Sequence, residues 1–140
     1  MMVYGEFNAF SPDDDQTIID RAYAALKPGG TLLLEINHGW IFGSPEETTT
    51  GWFAAERSVF AGCPHVCLQE TCFEGSCHIT NHYVIEEDSG EVQTYTSMHQ
   101  VYTDDDCRTM LKAFDPLTFY PSLRGEAGKD DHLFAVTAVK

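Results

Sequence analysis

Several residue groups in this sequence have the side-chain types and spacing for chemistry. His38 lies in Asn37-His38-Gly39-Trp40, at the end of an apolar run, where an imidazole could accept a proton from a hydroxyl or an amine. The same histidine also reads as a solvated loop residue. Cys63, Cys67, Cys72 and Cys77 cluster with His65, His78 and His82, and thiolates with imidazoles are the preferred ligands of zinc. The spacing lacks the paired Cys-x-x-Cys knuckles of a zinc ribbon. Strand alternation would also send Cys63, His65 and Cys67 to one face, where small thiols serve as filling. The expectation is therefore a cysteine-rich hairpin with no metal. No Ser-His-Asp set, phosphate loop or His-Glu-x-x-His helix occurs, which leaves hydrolase and kinase chemistry without support.

The elements that must position these groups begin with Ser11 to Ile36. Ser11 is a good N-cap, Pro12 fits the first helical position, and Asp13 to Asp15 suit the positive helix end. Ile18, Ile19, Ala22, Tyr23 and Leu26 recur at helical spacing. Lys27 offers charge to the helix C-terminus, Pro28 stops the helix, and Gly29-Gly30 supplies the turn into Thr31 to Ile36. That apolar run alternates too little for a sheet wetted on one face, so a parallel α/β sheet with helices on both sides is expected. In such sheets ligands bind beyond the carboxyl ends of the strands, here Tyr4 to Asn8 and Asn37 to Trp40. Asn37 to Gly51 reads as a loop. Short strands are expected over Ala55–Phe60, His65–Phe73, Cys77–Glu87 and Glu91–Val101. Glu74-Gly75-Ser76 and Asp88-Ser89-Gly90 are their hairpin turns. Thr103 then caps a second helix with Cys107, Met110, Leu111 and Phe114 on one face, stopped by Asp115-Pro116. Leu117 to Leu123 and His132 to Val139 are two further strands, joined by the loop from Arg124 to Lys129.

Tyr4-Gly5-Glu6-Phe7-Asn8, the capped helix and Leu26-Lys27-Pro28-Gly29-Gly30 before an apolar strand resemble the C-terminal half of class I S-adenosylmethionine-dependent methyltransferases. The helix, strand, loop, strand ending resembles the closing antiparallel pair of that family. Trp52, Arg57, Val59 and Phe60, followed by the hairpins, look similar to the β-insertion that some small-molecule members carry; an unrelated interaction module is the other reading of this stretch. The resemblance implies an α/β fold, the C-terminal part of a Rossmann-like methyltransferase sheet plus an antiparallel β-hairpin subdomain. It implies S-adenosylmethionine as cofactor, contacted by Tyr4, Gly5 and Glu6, with Phe7, Asn8, Asn37 and Trp40 against a small-molecule methyl acceptor and His38 as catalytic base. The Gly-rich turn and acidic residue that hold the cofactor in the N-terminal half of such enzymes are missing: no G-x-G occurs. Met1-Met2-Val3 reads as the end of the fourth strand, and weak or no cofactor binding is expected of this chain alone.

Composition bounds the rest. A chain of 140 residues is expected to form one domain, divided here as residues 1–51 of the sheet core, 52–102 as the β-insertion and 103–140 as the closing helix and strands. Net charge is −14, which repels nucleic acid and anionic membranes. The odd number of cysteines, five, fits a reducing compartment. With no apolar run of membrane-spanning length and no signal peptide before the fold, a cytoplasmic location is the default. Exposed parallel edges recruit further strands, so a homodimer is expected. The competing function class is a non-catalytic binding or assembly module, acidic, zinc-stabilised or both.

Overall fold

The Ser11 hydroxyl accepts the Asp14 amide at 3.2 Å, and Pro12 follows in the first turn, so helix α1 runs Pro12–Ala25 as its capping residues dictate. Its C-terminus is held differently from the expectation. Lys140, rather than Lys27, donates its ammonium to the carbonyls of Tyr23 (2.6 Å) and Leu26 (2.8 Å), supplying charge to the orphan end of the helix. The chain then turns at Gly29 and Gly30. A Cβ at Gly30 would stand 2.8 Å from the Lys27 carbonyl oxygen, which explains glycine there.

The computed structural model describes residues 1–125 and 132–140. It contains strands β1 (Thr31–Asn37), β2 (Thr49–Ala55), β3 (His65–Glu74), β4 (Cys77–Glu86), β5 (Val92–Gln100), then helix α2 (Asp104–Met110), β6 (Leu117–Tyr120) and β7 (Leu133–Val139). Two compact units result: Met1–Gly43 with Gln100–Lys140, and Ser44–His99. The loop expected over Arg124 to Lys129 lies, from residue 126 onward, outside the described residues. Among the described residues no helix is long and apolar enough to cross a membrane.

In the first unit the strands are ordered β1-β7-β6, and both pairings are antiparallel. Among the described residues, parallel pairing is confined to a bridge between Met2 and Leu34, with the Met2 amide on the Leu33 carbonyl (3.0 Å) and the Glu35 amide on the Met2 carbonyl (2.9 Å). Among the described residues a parallel sheet is therefore not shown: β1 pairs along one edge with the antiparallel β7 and carries the parallel Met2 bridge on the other. The expectation of helices on both faces is corrected as well. Leu32, Leu34 and Ile36 of β1 point to one face, where they form a single core with Ile19 of α1, Cys107 of α2, Leu111, Phe114 and Phe134, Val136 and Ala138 of β7. Both helices contribute to that core. The opposite face carries Leu33 across from Thr137 and Glu35 across from Ala135.

The second unit is a four-stranded antiparallel sheet, ordered β2-β3-β4-β5. Gly75 and Gly90 adopt positive φ (61° and 66°) at the two expected turns. The first strand is displaced from the expectation: Thr49–Ala55 is extended, while residues 56–60 are not. The β-branched threonines, read above as loop, suit a strand and pair with β3 from Thr49↔Thr71 onward.

Candidate functional site

The carboxyl end of the Met1–Val3 segment is shaped by two consecutive residues in the left-handed region, Tyr4 (φ 61°) and Gly5 (φ 69°). Positive φ is costly for a bulky side chain, so something must hold Tyr4 there. Its amide donates to Glu35 Oε2 at 2.7 Å. Gly5 lies so close to the Asn37 side chain that an added Cβ would overlap it, and only glycine fits. The outcome is that the Tyr4 ring is thrown outward, 84% exposed, beside the end of β1.

Glu6 opens a 3-10 turn over Glu6–Ala9 and is exposed. Phe7 and Asn8, expected against a substrate, are fully buried instead. Phe7 packs on Tyr102 with ring centroids 5.5 Å apart, an aromatic contact of the core. Asn8 acts as a clip: its Oδ1 accepts the Asn37 amide at 2.8 Å and its Nδ2 donates to the Gln100 carbonyl at 2.8 Å. A buried amide side chain needs such partners, and here they fix the Tyr4 turn to the end of β1.

His38 and Trp40 follow directly, with a short 3-10 turn over Gly39–Phe42. The His38 amide donates to the His132 carbonyl at 2.8 Å. Its ring lies 5.0 Å from Phe134 and 6.2 Å from Trp40, while Trp40, 61% exposed, lies 5.3 Å from His132. Tyr4, Gly5, Asn8 and Asn37 thus meet at one place, and His38 and Trp40 join an aromatic cluster that also includes His132. Glu35 and His132 were missed at the level of sequence. The signal for Glu35 was present, since it is the one charged residue inside an apolar run. His132 had no local signal.

Behind the site, Asp15 of α1 is buried and accepts the Tyr102 hydroxyl on Oδ2, while its Oδ1 has no partner. Burial raises the Asp15 carboxyl to about 6, opposed by the Tyr102 bond. Burial and the neighbouring Asp15 push the Tyr102 phenol up. Burial likewise pushes the Cys107 thiol up to about 12, so it is core rather than nucleophile.

The cysteine and histidine cluster lies in the second unit. His65 and Cys67 share the buried side of β3, and His65 accepts or donates at both ring nitrogens, to Ser58 Oγ (2.8 Å) and the Cys63 carbonyl (2.7 Å). A carbonyl accepts only, so Nδ1 carries the proton and Nε2 takes the Ser58 hydroxyl. Among the described residues no three His, Cys, Asp or Glu side chains converge as a metal-holding group.

No protein-family model matches this sequence, and no curated protein matches it. Solved structures do. An S-adenosylmethionine-dependent methyltransferase from Clostridium acetobutylicum ATCC 824 superposes with a TM-score of 0.64 at 14% identity. The CcbJ methyltransferase from Streptomyces caelestis gives 0.62 at 12%. CalS10, an amino pentose methyltransferase from Micromonospora echinaspora involved in calicheamicin biosynthesis and solved with S-adenosylmethionine bound, gives 0.59 at 14%. Each match covers 98% of this chain but only 54–56% of the other, so the chain spans about half the length of these structures. At such identities the likeness is one of fold: the chain has part of a methyltransferase fold.

Proposed function

We propose that this chain forms the C-terminal half of an S-adenosylmethionine-dependent methyltransferase acting on a small molecule. The observation that carries the reading is the Tyr4-Gly5 turn, a backbone strained at a strand's carboxyl end and locked by Glu35 and Asn37. Strain of this kind persists where surrounding structure over-determines it, and ligand sites are where it concentrates. The fold shared with methyltransferases supports the same conclusion.

The cofactor fits these residues at one end only. Gly5 lets backbone approach closely, and the exposed Tyr4 ring offers an apolar wall, with Glu6 at the rim. The Gly-rich cradle and its acidic ribose partner are not among this chain's residues. When bound, the cofactor supplies an electrophilic methyl group on a sulfonium. The remaining work is positioning, which contributes most of the rate in such transfers. Trp40 offers an exposed face to an acceptor, and Asn37 borders it. His38 would take the acceptor's proton on a ring nitrogen, its ring held by Phe134 and Trp40. Phe7 and Asn8 support this arrangement from within the core. Residues 52–102, most of which fall in the Ser44–His99 unit, are read as the β-insertion of such enzymes, and the surroundings as cytoplasmic.

Titration calorimetry of the chain with S-adenosylmethionine tests the reading. Binding weaker than about micromolar, with no turnover by this chain alone, is expected. Submicromolar affinity would overturn the half-domain assignment.

A further inference from the structure

Asp15 is a buried titratable group that methyl transfer leaves unused. It is wholly buried in the first turns of α1, whereas Asp13 and Asp14 stand in solvent. Its Oδ2 accepts the Tyr102 hydroxyl, and among the described residues its Oδ1 meets no hydrogen-bond partner. Tyr102 itself belongs to the apolar core, with Phe7, Ile19, Cys107 and Leu111. An ionised Asp15 leaves one charged oxygen unsolvated there, while the protonated acid does not. Loss of the proton must be answered by admitting water or by disturbing the packing of Asp15 and Tyr102. The other titratable groups acting on this pair are Asp14 of α1 and Asp106 and Cys107 of α2. Both aspartates oppose a further negative charge. Arg108 of α2 is engaged over the Phe119 ring at 4.4 Å, and Glu6, beside Phe7, is exposed.

Tyr102 connects this carboxyl to the candidate site. Its ring packs on Phe7, with centroids 5.5 Å apart, and the Gln100 carbonyl just before it accepts Asn8 Nδ2 at 2.8 Å. Asn8 Oδ1 accepts the Asn37 amide at 2.8 Å, and the Asn8 amide donates to the Gly5 carbonyl at 3.0 Å. Any displacement of Tyr102 therefore reaches the Tyr4-Gly5 turn through packed rings and two hydrogen bonds, a contiguous physical route. We infer that the proton on Asp15 locks residues 4–8 in place, and that its release loosens them and, with them, the methyl-donor end of the site. The lock stands on the bonds just given; its meaning for a methyltransferase rests on the function proposed above.

Hydrogen exchange of the Asn8 amide, corrected for the intrinsic pH dependence of exchange, tests the lock in the whole chain. Its protection should fall about tenfold between about pH 5 and 7.5. That of Val136, in the central strand β7, should fall less, which separates local loosening from global unfolding. Asp15→Asn, neutral at every pH, should keep the Asn8 protection level. Tyr102→Phe leaves a ring on Phe7 but removes a bond that favours the carboxylate, so the midpoint of the fall should move up in pH. This second variant keeps the test decisive if Asp15→Asn does not fold. The imidazoles of His38 and His132, at the Asn37 end, are common to all three proteins, so differences between them isolate Asp15. Level Asn8 protection in the unsubstituted chain, an equal fall at Asn8 and Val136, the same fall in Asp15→Asn, or an unmoved midpoint in Tyr102→Phe would overturn the inference. No methyl donor enters the measurement, so its failure leaves the methyl-transfer reading standing, and failure of that reading in calorimetry leaves the proton lock standing.

Discussion

Asp15 carries a carboxyl into the core, and the consequence is a pH dependence with a definite sign. Its folded value is about 6, against about 3.9 in an unfolded chain. The folded state therefore holds the proton more tightly. The contribution to stability is complete below about pH 4 and is lost as the pH rises through about 6. The full effect is on the order of 3 kcal/mol at most. Denaturant unfolding between pH 5 and 7 should show stability falling with pH, and Asp15→Asn should flatten that slope. Equal slopes in the two proteins would count against a buried, proton-holding Asp15. Nothing in the residue pattern distinguishes Asp15 from Asp13 and Asp14, which suit the helix end equally. Its burial is decided by Tyr102, distant in sequence, and so could not be read locally. Glu35 is the contrasting case, where a charge inside Thr31 to Ile36 announced itself. Phe7 and Asn8 were misjudged for a third reason: adjacency to a strand end does not say which side chains turn inward.

At the level of elements, capping chemistry was the most legible feature. Thr103 and Asp106 form a reciprocal box, with the Asp106 amide on Thr103 Oγ1 (3.2 Å) and the Thr103 amide on Asp106 Oδ2 (2.9 Å). The Thr103 bonds also hold the Asp106 carboxyl below the usual carboxylate range. Thr103→Ala should cost about 1 kcal/mol in denaturant unfolding. The Asp106 carboxyl should move back up in an NMR titration. An unchanged midpoint together with an unmoved Asp106 would show that the box contributes nothing. Strand boundaries were less legible, because the threonine run before Trp52 has the composition of a loop and the β-branching of a strand. Sheet direction was the least legible. An apolar run such as β1 is compatible with parallel or antiparallel neighbours, and the choice is made by β7, about a hundred residues away.

For the molecule as a whole, the sheet β1-β7-β6 has its helices on one face and a groove on the other, while the edge of β1 away from β7 is bonded, among the described residues, around Met2 and at the Asn37 amide. Met1, Tyr4 and Leu123 stand exposed along that groove. Apolar groups and strand edges so placed favour association, and a symmetric homodimer is the simplest closed form. Sedimentation equilibrium at moderate salt should therefore give a dimer at about micromolar concentration, despite −14 charges per chain; a monomer throughout would remove the edge argument. The central claim is narrower: the Tyr4-Gly5 turn and the end of β1 form the methyl-donor end of a methyltransferase site. Titrating S-adenosylhomocysteine into the 15N-labelled chain tests this most directly. The account predicts weak binding, short of saturation at about millimolar ligand, with amide shifts at Tyr4 to Asn8 and Asn37 to Trp40. Shifts confined to the Ser44–His99 unit, or saturation at submicromolar ligand, would contradict it.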